Sequence, residues 1–137
     1  MRALKITVVC ALMCTAGLRA QNSPEQVAAQ SALIWVAMVD AGKYGESWDG
    51  AAKLFQNQLT QDQWKAALTS VRTPLGKMVS RTQKGAQPAS NVPGAPAGQV
   101  FIVLQFTTSF ENKSSAVETV AMVDENGTWK AAGYFIQ

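Results

Sequence analysis

The chain has 137 residues, of which 47 % are hydrophobic and 15 % are charged, and its formal net charge is +3. It contains no histidine, so a Ser-His-Asp triad and histidine metal ligands are excluded. It also lacks a glycine-rich phosphate-binding loop followed by Lys-Ser or Lys-Thr, which excludes a common class of nucleotide-binding protein.

The first 20 residues have the pattern of a secretory signal peptide. Arg2 and Lys5 precede a predominantly apolar run over residues 6–14, and mostly small residues follow up to Ala20. The apolar run is shorter than the roughly 20 residues that a membrane-spanning helix needs. We therefore predict cleavage after Ala20. The mature chain, residues 21–137, is expected to be a single periplasmic or secreted domain without a membrane span.

Loss of this leader would change both the charge and the redox chemistry of the chain. Three of the 12 basic residues lie in it, which leaves nine bases against nine acids and removes the basic excess that favours nucleic acid. Cys10 and Cys14 lie there too, so the mature chain has no disulfide, thiol nucleophile or thiolate metal site. We expect no cofactor and no metal. Lipidation of Cys14 is an alternative that the bulky Met13 disfavours.

Three helices are predicted in the first half of the mature chain, and the first spans residues 23–41. Ser23 is a suitable N-cap, Pro24 suits the first helical position, and Gln26 completes a capping box. Gly42 is the expected stop. The face that we expect to be buried comprises Val27, Ser31, Ile34, Trp35 and Met38.

The second helix is predicted over residues 45–59, and the third runs from Thr60, where Gln63 completes another capping box, to Thr73. The third helix is expected to end at Thr73 because a proline, Pro74, disfavours a helical conformation at the residue before it. The buried positions expected on the second helix are Trp48, Ala51, Ala52, Phe55 and Leu59. Those expected on the third helix are Trp64, Ala67, Leu68 and Val71.

From Lys77 onward the hydrophobic pattern alternates residue by residue, which indicates strands. Residues 78–83 form a weak strand candidate, and residues 84–99, with three prolines and three glycines, are predicted to form a loop. That loop either binds a ligand or is a solvated connector. Residues 100–110 are the clearest strand, and its expected core-facing residues are Val100, Ile102, Leu104, Phe106 and Phe110.

Two further strands are predicted over residues 116–124 and 128–136. Asn126-Gly127 between them is typical of a type I′ hairpin, and residues 111–115 form the preceding turn. Helices that precede all the strands indicate an α+β fold. We predict three helices packed on one face of a curved antiparallel sheet of three to four strands.

Glu118 is the polar residue that most needs an explanation, because it shares an otherwise apolar strand face. A carboxylate in such a place needs a cationic partner, and Arg72 or Arg81 could supply it. Three interpretations remain open. The residues form a structural ion pair that ties the third helix to the sheet, or they line a small-molecule pocket, or Glu118 acts as an acid catalyst.

Aromatic residues could complete a pocket of that kind. Trp48 fits the buried face of the second helix, whereas Tyr44, just before that helix, would need a partner for its hydroxyl if buried. Trp129 and Tyr134 are further aromatic candidates. The candidate ligand-binding or ion-pair residues are therefore Tyr44, Trp48, Arg72, Arg81 and Glu118, and no catalytic residue is assigned.

A series of short motifs is spread over essentially the whole mature chain. They are Tyr44 with Ser47-Trp48, Arg72-Thr73-Pro74-Leu75-Gly76, Ser80-Arg81, Thr108-Ser109-Phe110, Asn112-Lys113, Glu118-Thr119-Val120, Asn126-Gly127-Thr128-Trp129 and Gly133-Tyr134. In this order they resemble the bacterial family called domain of unknown function 4019. The resemblance implies a small exported bacterial protein and brings no established activity and no catalytic residues. The layout is also similar to nuclear-transport-factor-2-like and cystatin-like folds, which host enzymes, binders and scaffolds alike.

These observations lead to three hypotheses about function. The first is an exported binding or interaction module for an unknown small molecule or envelope protein. The second is an enzyme with a cone-shaped pocket that uses Tyr44 and Glu118. The third is an envelope accessory protein that binds another protein, which a contiguous exposed apolar patch would favour.

Overall fold

A computed structural model of the chain describes residues 20–137. The predicted signal peptide, apart from Ala20, lies outside the described residues. The helices are α1 (Pro24–Asp40), α2 (Tyr44–Asp49), α3 (Lys53–Gln58) and α4 (Gln61–Leu75). The strands are β1 (Met78–Ala89), β2 (Phe101–Phe110), β3 (Lys113–Glu125) and β4 (Thr128–Ile136).

The four strands form one open antiparallel sheet in the order β1-β2-β3-β4, and the helices precede them in the chain. The α+β class predicted from the sequence is therefore confirmed. The main core lies between the helices and one face of the sheet. Its sheet side is formed by Ile102, Leu104, Phe106, Val120, Met122 and Ala131. Among residues 20–137 no helix combines the length and the apolar character that crossing a membrane requires.

Helix α1 begins as predicted, with Ser23 and Gln26 forming a reciprocal capping box around Pro24. Its buried face, however, is rotated from the predicted one. The buried side chains of α1 are Ala28, Ala29, Ala32, Trp35, Val36 and Val39. Val27 and Ile34, which we expected in the core, are exposed. Three alanines let the backbone of α1 approach the sheet closely. Close packing, and not the burial of the largest side chains, therefore selected the face of α1 that is covered.

The predicted second helix is in fact two short helices, α2 and α3. Between them Ala52 is extended, and its backbone N–H donates to the carbonyl of Ala131 in β4 at 2.8 Å. The next amide, that of Lys53, donates to the Glu125 carboxylate at 2.6 Å. These bonds to the β3–β4 hairpin replace helical ones, which is why a continuous periodic pattern did not give a continuous helix.

Helix α4 and strand β1 both extend beyond their predicted ends. Helix α4 includes Pro74 and ends at Leu75, and Gly76, which follows as the C-cap, has a positive φ of 74°. A proline in the last turn removes only one helical hydrogen bond. The buried residues of α4 are Trp64, Leu68 and Arg72, whereas Ala67 and Val71, which we expected in the core, are exposed.

Strand β1 continues from the weak candidate to Ala89, so the first part of the predicted loop is strand. Pairing with β2 supports it over its whole length, with register shifts on either side of Val79 and of Lys84. Pro88 is tolerated because β1 is an edge strand. The remaining connection to β2 is correspondingly shorter.

The last three strands follow their prediction closely. Strand β2 begins at Phe101, and Val100, which we expected in the core, precedes it and is exposed. Strand β3 begins three residues earlier than predicted, at Lys113. Asn126 and Gly127 both have positive φ, as a type I′ turn requires. Phe101, the first residue of β2, packs on the face of the sheet opposite the main core, in a small cluster with Ala52 and Val123.

Candidate functional site

Glu118 lies on β3 and points into the core, and its side chain is 0 % exposed. One carboxylate oxygen, Oε1, accepts hydrogen bonds from Nε of Arg81 at 2.7 Å and from the hydroxyl of Thr108. The other, Oε2, accepts a hydrogen bond from the hydroxyl of Tyr134. Both oxygens of this buried carboxylate are therefore occupied by the protein itself.

Arg81 also binds a second carboxylate, that of Asp40. Its Nη1 and Nη2 lie 2.7 Å and 3.0 Å from Oδ2 and Oδ1 of Asp40, so this contact is bidentate. Nη2 of Arg72 donates to Oδ1 of Asp40 at 2.8 Å. The four charged residues Glu118, Arg81, Asp40 and Arg72 thus form one chain of contacts, which we call the charge network. With two cations and two anions it is electrically balanced.

The charge network joins three separate parts of the fold. Asp40 is the last residue of α1, and Arg72 lies in the last turn of α4. Arg81 and Glu118 lie on β1 and β3, and Thr108 on the strand between them. Cations are favoured at helix C-termini and anions are not. The two guanidinium groups therefore make it possible for Asp40 to end α1 in this position.

The protonation of the network follows from burial and from these contacts. Burial acts to raise the pKa of Asp40, but the hydrogen bonds and charges of Arg81 and Arg72 outweigh it, so this pKa lies below its ordinary value. Burial, followed by the charge of Glu118, raises the pKa of the Tyr134 hydroxyl far above its ordinary value. Tyr134 is therefore a neutral hydrogen-bond donor to Glu118 throughout the physiological range.

Arg72 has a different environment from Arg81. Its guanidinium lies over the ring of Phe110, 4.8 Å from the ring centre, and its side chain is 5 % exposed. Its Nε and Nη1 atoms are buried without a hydrogen-bond partner. Arg72, Asp40 and Tyr44 line a shallow surface depression of about 330 Å³. Tyr44 is therefore placed beside Arg72 and Asp40 and not beside Glu118.

Three of the four tryptophans have structural roles. The indole nitrogens of Trp35 and Trp64 donate to the carbonyl and to the hydroxyl of Ser47, at 2.7 Å and 2.9 Å. That of Trp48 donates to the carbonyl of Leu59 at 2.9 Å. Within residues 20–137, Trp129 is the one tryptophan whose indole nitrogen makes no hydrogen bond to the protein. Trp48 and Trp129 are both partly buried and pack against the main core, and they differ in that only the indole nitrogen of Trp48 has a partner among residues 20–137.

Trp129 lies between two depressions on the surface. The larger one, of about 480 Å³, is bounded by the first turn of α1, the segment before β2 and the β3–β4 hairpin. The smaller one, of about 200 Å³, runs between α1 and the same hairpin and is lined by Ile34, Trp35 and Met38, among others. Trp129 belongs to the lining of both.

The adjoining outer face of α1 is uncharged. Between Glu25 and Asp40 the helix contains no Asp, Glu, Lys or Arg. Its outward positions are Gln26, Val27, Gln30, Leu33, Ile34 and Ala37. A helix on a protein surface normally presents charged side chains to water. We call this face, together with Trp129 and the two depressions, the Trp129 surface.

The structure separates the residues that the sequence analysis grouped. Arg81 contacts Glu118 directly, Arg72 is connected to it through Asp40, and Tyr44 and Trp48 lie elsewhere. The sequence pattern does not indicate Asp40 or the hydroxyl of Thr108, and it indicates Tyr134 only as an aromatic candidate. The hairpin contained a signal for Tyr134, because a turn at Asn126-Gly127 brings it opposite Val120, two residues from Glu118.

The described residues offer no cluster that suits a metal ion. In the range 20–137, no three side chains of the His, Cys, Asp and Glu types lie close enough together to hold one. The two carboxylates of the charge network are already bound by arginines.

Two comparisons with known proteins bear on the identity of the chain. The model of the family described as "Protein of unknown function (DUF4019)" matches residues 31–134, which contain the charge network and most of the Trp129 surface. A search of curated proteins gave no match.

Proposed function

The chain belongs to the DUF4019 family, and from this premise we propose that it is an exported binding module that recognises another envelope protein through the Trp129 surface. The observation that carries the proposal is Trp129 itself. It is half-buried between two depressions, and its indole N–H has no partner in the described part of the chain. Partly buried aromatic residues of this kind are enriched at the centres of protein interfaces.

The uncharged face of α1 supports a protein as the partner. The helix has 17 residues and is therefore about 25 Å long. The exposed apolar residues of this face, Val27, Leu33, Ile34 and Ala37, are spread along the helix and match an extended partner surface better than a compact metabolite. Ile34, near its middle, is 67 % exposed.

A small molecule is the second candidate, and one observation favours it. The larger depression beside Trp129 measures about 480 Å³, which lies within the common range of ligand sites, roughly 300–1,000 Å³. Its lining includes apolar and acidic side chains. A ligand bound there would occupy only one part of the Trp129 surface.

The enzyme hypothesis receives less support from the geometry. Glu118 is fully buried, and its oxygens accept hydrogen bonds from Arg81, Thr108 and Tyr134. A general acid or base must reach the proton that it transfers. Tyr44 lines a surface depression whose lining does not include Glu118, so the two residues proposed for such a site do not share one.

The binding proposal can be tested by site-specific photocrosslinking in the producing cell. A benzophenone amino acid is placed at Ile34 and, as the matched control, at Val79, whose exposure of 65 % is nearly the same but which lies on β1. We expect a discrete crosslinked adduct from position 34 only. Equal adducts from both positions, or none from position 34, would contradict the proposal.

Export is a separate part of the proposal and has its own test. The basic start, the apolar run and Ala20 support removal of residues 1–20. Mass spectrometry of the protein from the periplasmic and secreted fractions is expected to show Gln21 as the first residue. An intact Met1, or a lipid on Cys14, would contradict this part and leave the Trp129 surface to be judged by the crosslinking result.

A further inference from the structure

We propose that the C-terminal part of strand β4 binds an extended segment of another protein, which adds to the sheet as a fifth strand. The occupant is a short stretch of polypeptide with apolar residues at every second position. This surface lies at the opposite end of β4 from Trp129, so the proposal is independent of the Trp129 surface. Two features of the described residues carry it, an unprotected sheet edge and an apolar groove beside that edge.

The two edges of the sheet differ in how they are protected. Strand β1 contains Lys84, Pro88 and two register shifts, which are features that keep natural sheet edges from pairing with other chains. The first part of β4 has a register shift against β3, and the N–H of Ala52 donates to the carbonyl of Ala131 there. Residues 133–136 contain no charge, no proline and no register shift. This segment is therefore the unprotected part of the edge.

The backbone of this segment points outward at alternate residues. Val117 and Gln137 exchange both of their backbone hydrogen bonds, at 2.9 Å and 3.0 Å. In an antiparallel pair, such positions alternate with positions whose N–H and C=O point away from the partner strand. By this alternation Tyr134 and Ile136 each present one donor and one acceptor at the edge. Within residues 20–137, no other element forms a hydrogen bond with these backbone groups.

An apolar groove lies beside this edge, between α4 and β4. It has a volume of about 250 Å³ and is lined by Trp64, Ala67, Leu68, Val71, Tyr134, Phe135 and Ile136, none of which is charged. Residues directly opposite each other in a sheet place their side chains on the same face. The residues of an added strand that pair with Tyr134 and Ile136 therefore direct their side chains toward α4 and the groove.

The length of the free edge decides which kind of partner fits it. Four strand residues at about 3.4 Å each span only about 14 Å. A second folded copy that paired through this length alone would bury far less than the roughly 800 Å² per partner that stable interfaces between folded proteins bury. An extended segment needs no such area, because its main chain bonds to the edge while alternate side chains enter the groove.

Hydrogen exchange tests the free edge before any ligand is added. The measurement uses ¹⁵N-labelled protein purified after expression of the full chain. We expect the amides of Tyr134 and Ile136 to exchange much faster than that of Phe135, which pairs with β3. Slow exchange at all three amides would contradict a free edge. If that protection increases with protein concentration, a second copy occupies the edge and the proposal is overturned.

The binding probe is the peptide acetyl-Lys-Val-Thr-Leu-Thr-Val-Lys-amide, and two N-methylated versions of it form a matched pair. One version is methylated on Leu and on the second Val, whose N–H groups face β4 when their side chains enter the groove. The other is methylated on the two Thr residues, whose N–H groups face away from β4. Binding is followed by NMR through the backbone signals of Tyr134 and Ile136.

We expect the unmodified peptide and the version methylated on Thr to bind and to slow exchange at Tyr134 and Ile136. The version methylated on Leu and Val should not bind, because it lacks the donors that pair with the edge. Equal binding of the two methylated versions would show contact through side chains alone and would overturn strand addition. Failure of the unmodified peptide to bind would overturn it as well.

A pair of variants on α4 tests the groove. Ala67 lines it, whereas the neighbouring Ala66 is also exposed and does not. Ala67→Glu should weaken peptide binding at least about tenfold, because the carboxylate would lose water to an apolar side chain without gaining a partner. Ala66→Glu should leave the affinity unchanged, and equal effects of the two changes would contradict a role for the groove. The crosslink from position 34 reports on a different surface and decides the proposed function separately.

Discussion

The charge network and the Trp129 surface contain the same kinds of residue and use them in opposite ways. In the network, Asp40 and Glu118 are each held by Arg81 and by at least one further donor. On the Trp129 surface, Glu25 and Asp124 have no such partners in the described part of the chain. A carboxylate with a full set of internal donors contributes to the fold, and one that lacks them remains available to a ligand.

Burial explains why the two regions differ. Removing a charge from water costs several kcal/mol, so a buried carboxylate persists only with good partners. At the surface, water solvates the charge and no internal partner is needed. The comparison therefore makes opposite predictions for the two regions: substitutions in the network should affect stability, and substitutions on the surface should affect binding.

The largest expected effect is that of Glu118→Ala. This change leaves Arg81 with one carboxylate and removes the acceptor of the Thr108 and Tyr134 hydroxyls, all in or near the core. We expect the free energy of unfolding to fall by about 3–5 kcal/mol, measured by urea denaturation. Glu118→Gln should have a smaller effect, and the exposed control Glu46→Ala should stay within about 0.5 kcal/mol. A loss below about 1 kcal/mol for Glu118→Ala would contradict a structural network.

The next effect distinguishes the two arginines. Arg81 binds both carboxylates, whereas Arg72 binds one through a single nitrogen and has two unpaired donors. Arg81→Ala should therefore be more destabilising than Arg72→Ala. In double-mutant cycles Arg81 should couple to Glu118 by about 0.5–3 kcal/mol, and Arg72 by less. The opposite ranking would show that the contact through Asp40 matters more than the direct one.

A smaller effect is expected from pH. The folded pKa of Asp40 lies below its ordinary value of 3.8, so the folded protein binds fewer protons than the unfolded chain. Stability is then fully present above the ordinary pKa and is lost as pH falls through the lower folded value. In thermal melts, Asp40→Asn should make the melting temperature fall less steeply as the pH is lowered, and Asp62→Asn should leave that fall unchanged.

At alkaline pH, folding stability should change with pH in the opposite direction. The pKa of Tyr134 is raised above its ordinary value of 10.0, so the folded protein keeps a proton that the unfolded chain loses. Stability should therefore fall as pH rises above about 10. Tyr134→Phe should weaken this dependence. If stability falls equally steeply at alkaline pH in Tyr134→Phe, Tyr134 is not the source of that fall.

The smallest effects on stability are expected on the Trp129 surface. Ile34→Ser and Asp124→Asn remove an exposed apolar group and an unpaired carboxylate, and each should change the free energy of unfolding by about 0.5 kcal/mol or less. This result would complete the contrast with Glu118. A large destabilisation by either change would instead assign this surface a structural role.

Local patterns predicted those parts of the fold that depend on neighbouring residues. The capping boxes at Ser23 and Thr60, the turn at Asn126-Gly127 and the alternation in β2 all formed as expected. Each involves hydrogen bonds or side-chain directions within a few residues. The requirement that Glu118 have a cationic partner could also be inferred, because it follows from the cost of burying a charge.

The sequence alone therefore determined the α+β order of elements, the absence of histidine chemistry and the presence of a buried carboxylate. Tertiary structure decided which arginine binds Glu118, that Asp40 joins the two arginines, and that α1 packs through its alanines. It also left the indole N–H of Trp129 without a hydrogen-bond partner among residues 20–137. These outcomes depend on contacts between residues that are distant in the chain, such as Asp40 and Arg81, which are 41 positions apart. Periodicity shows that a helix has an apolar face, but only the packing of the whole chain selects the side that is covered.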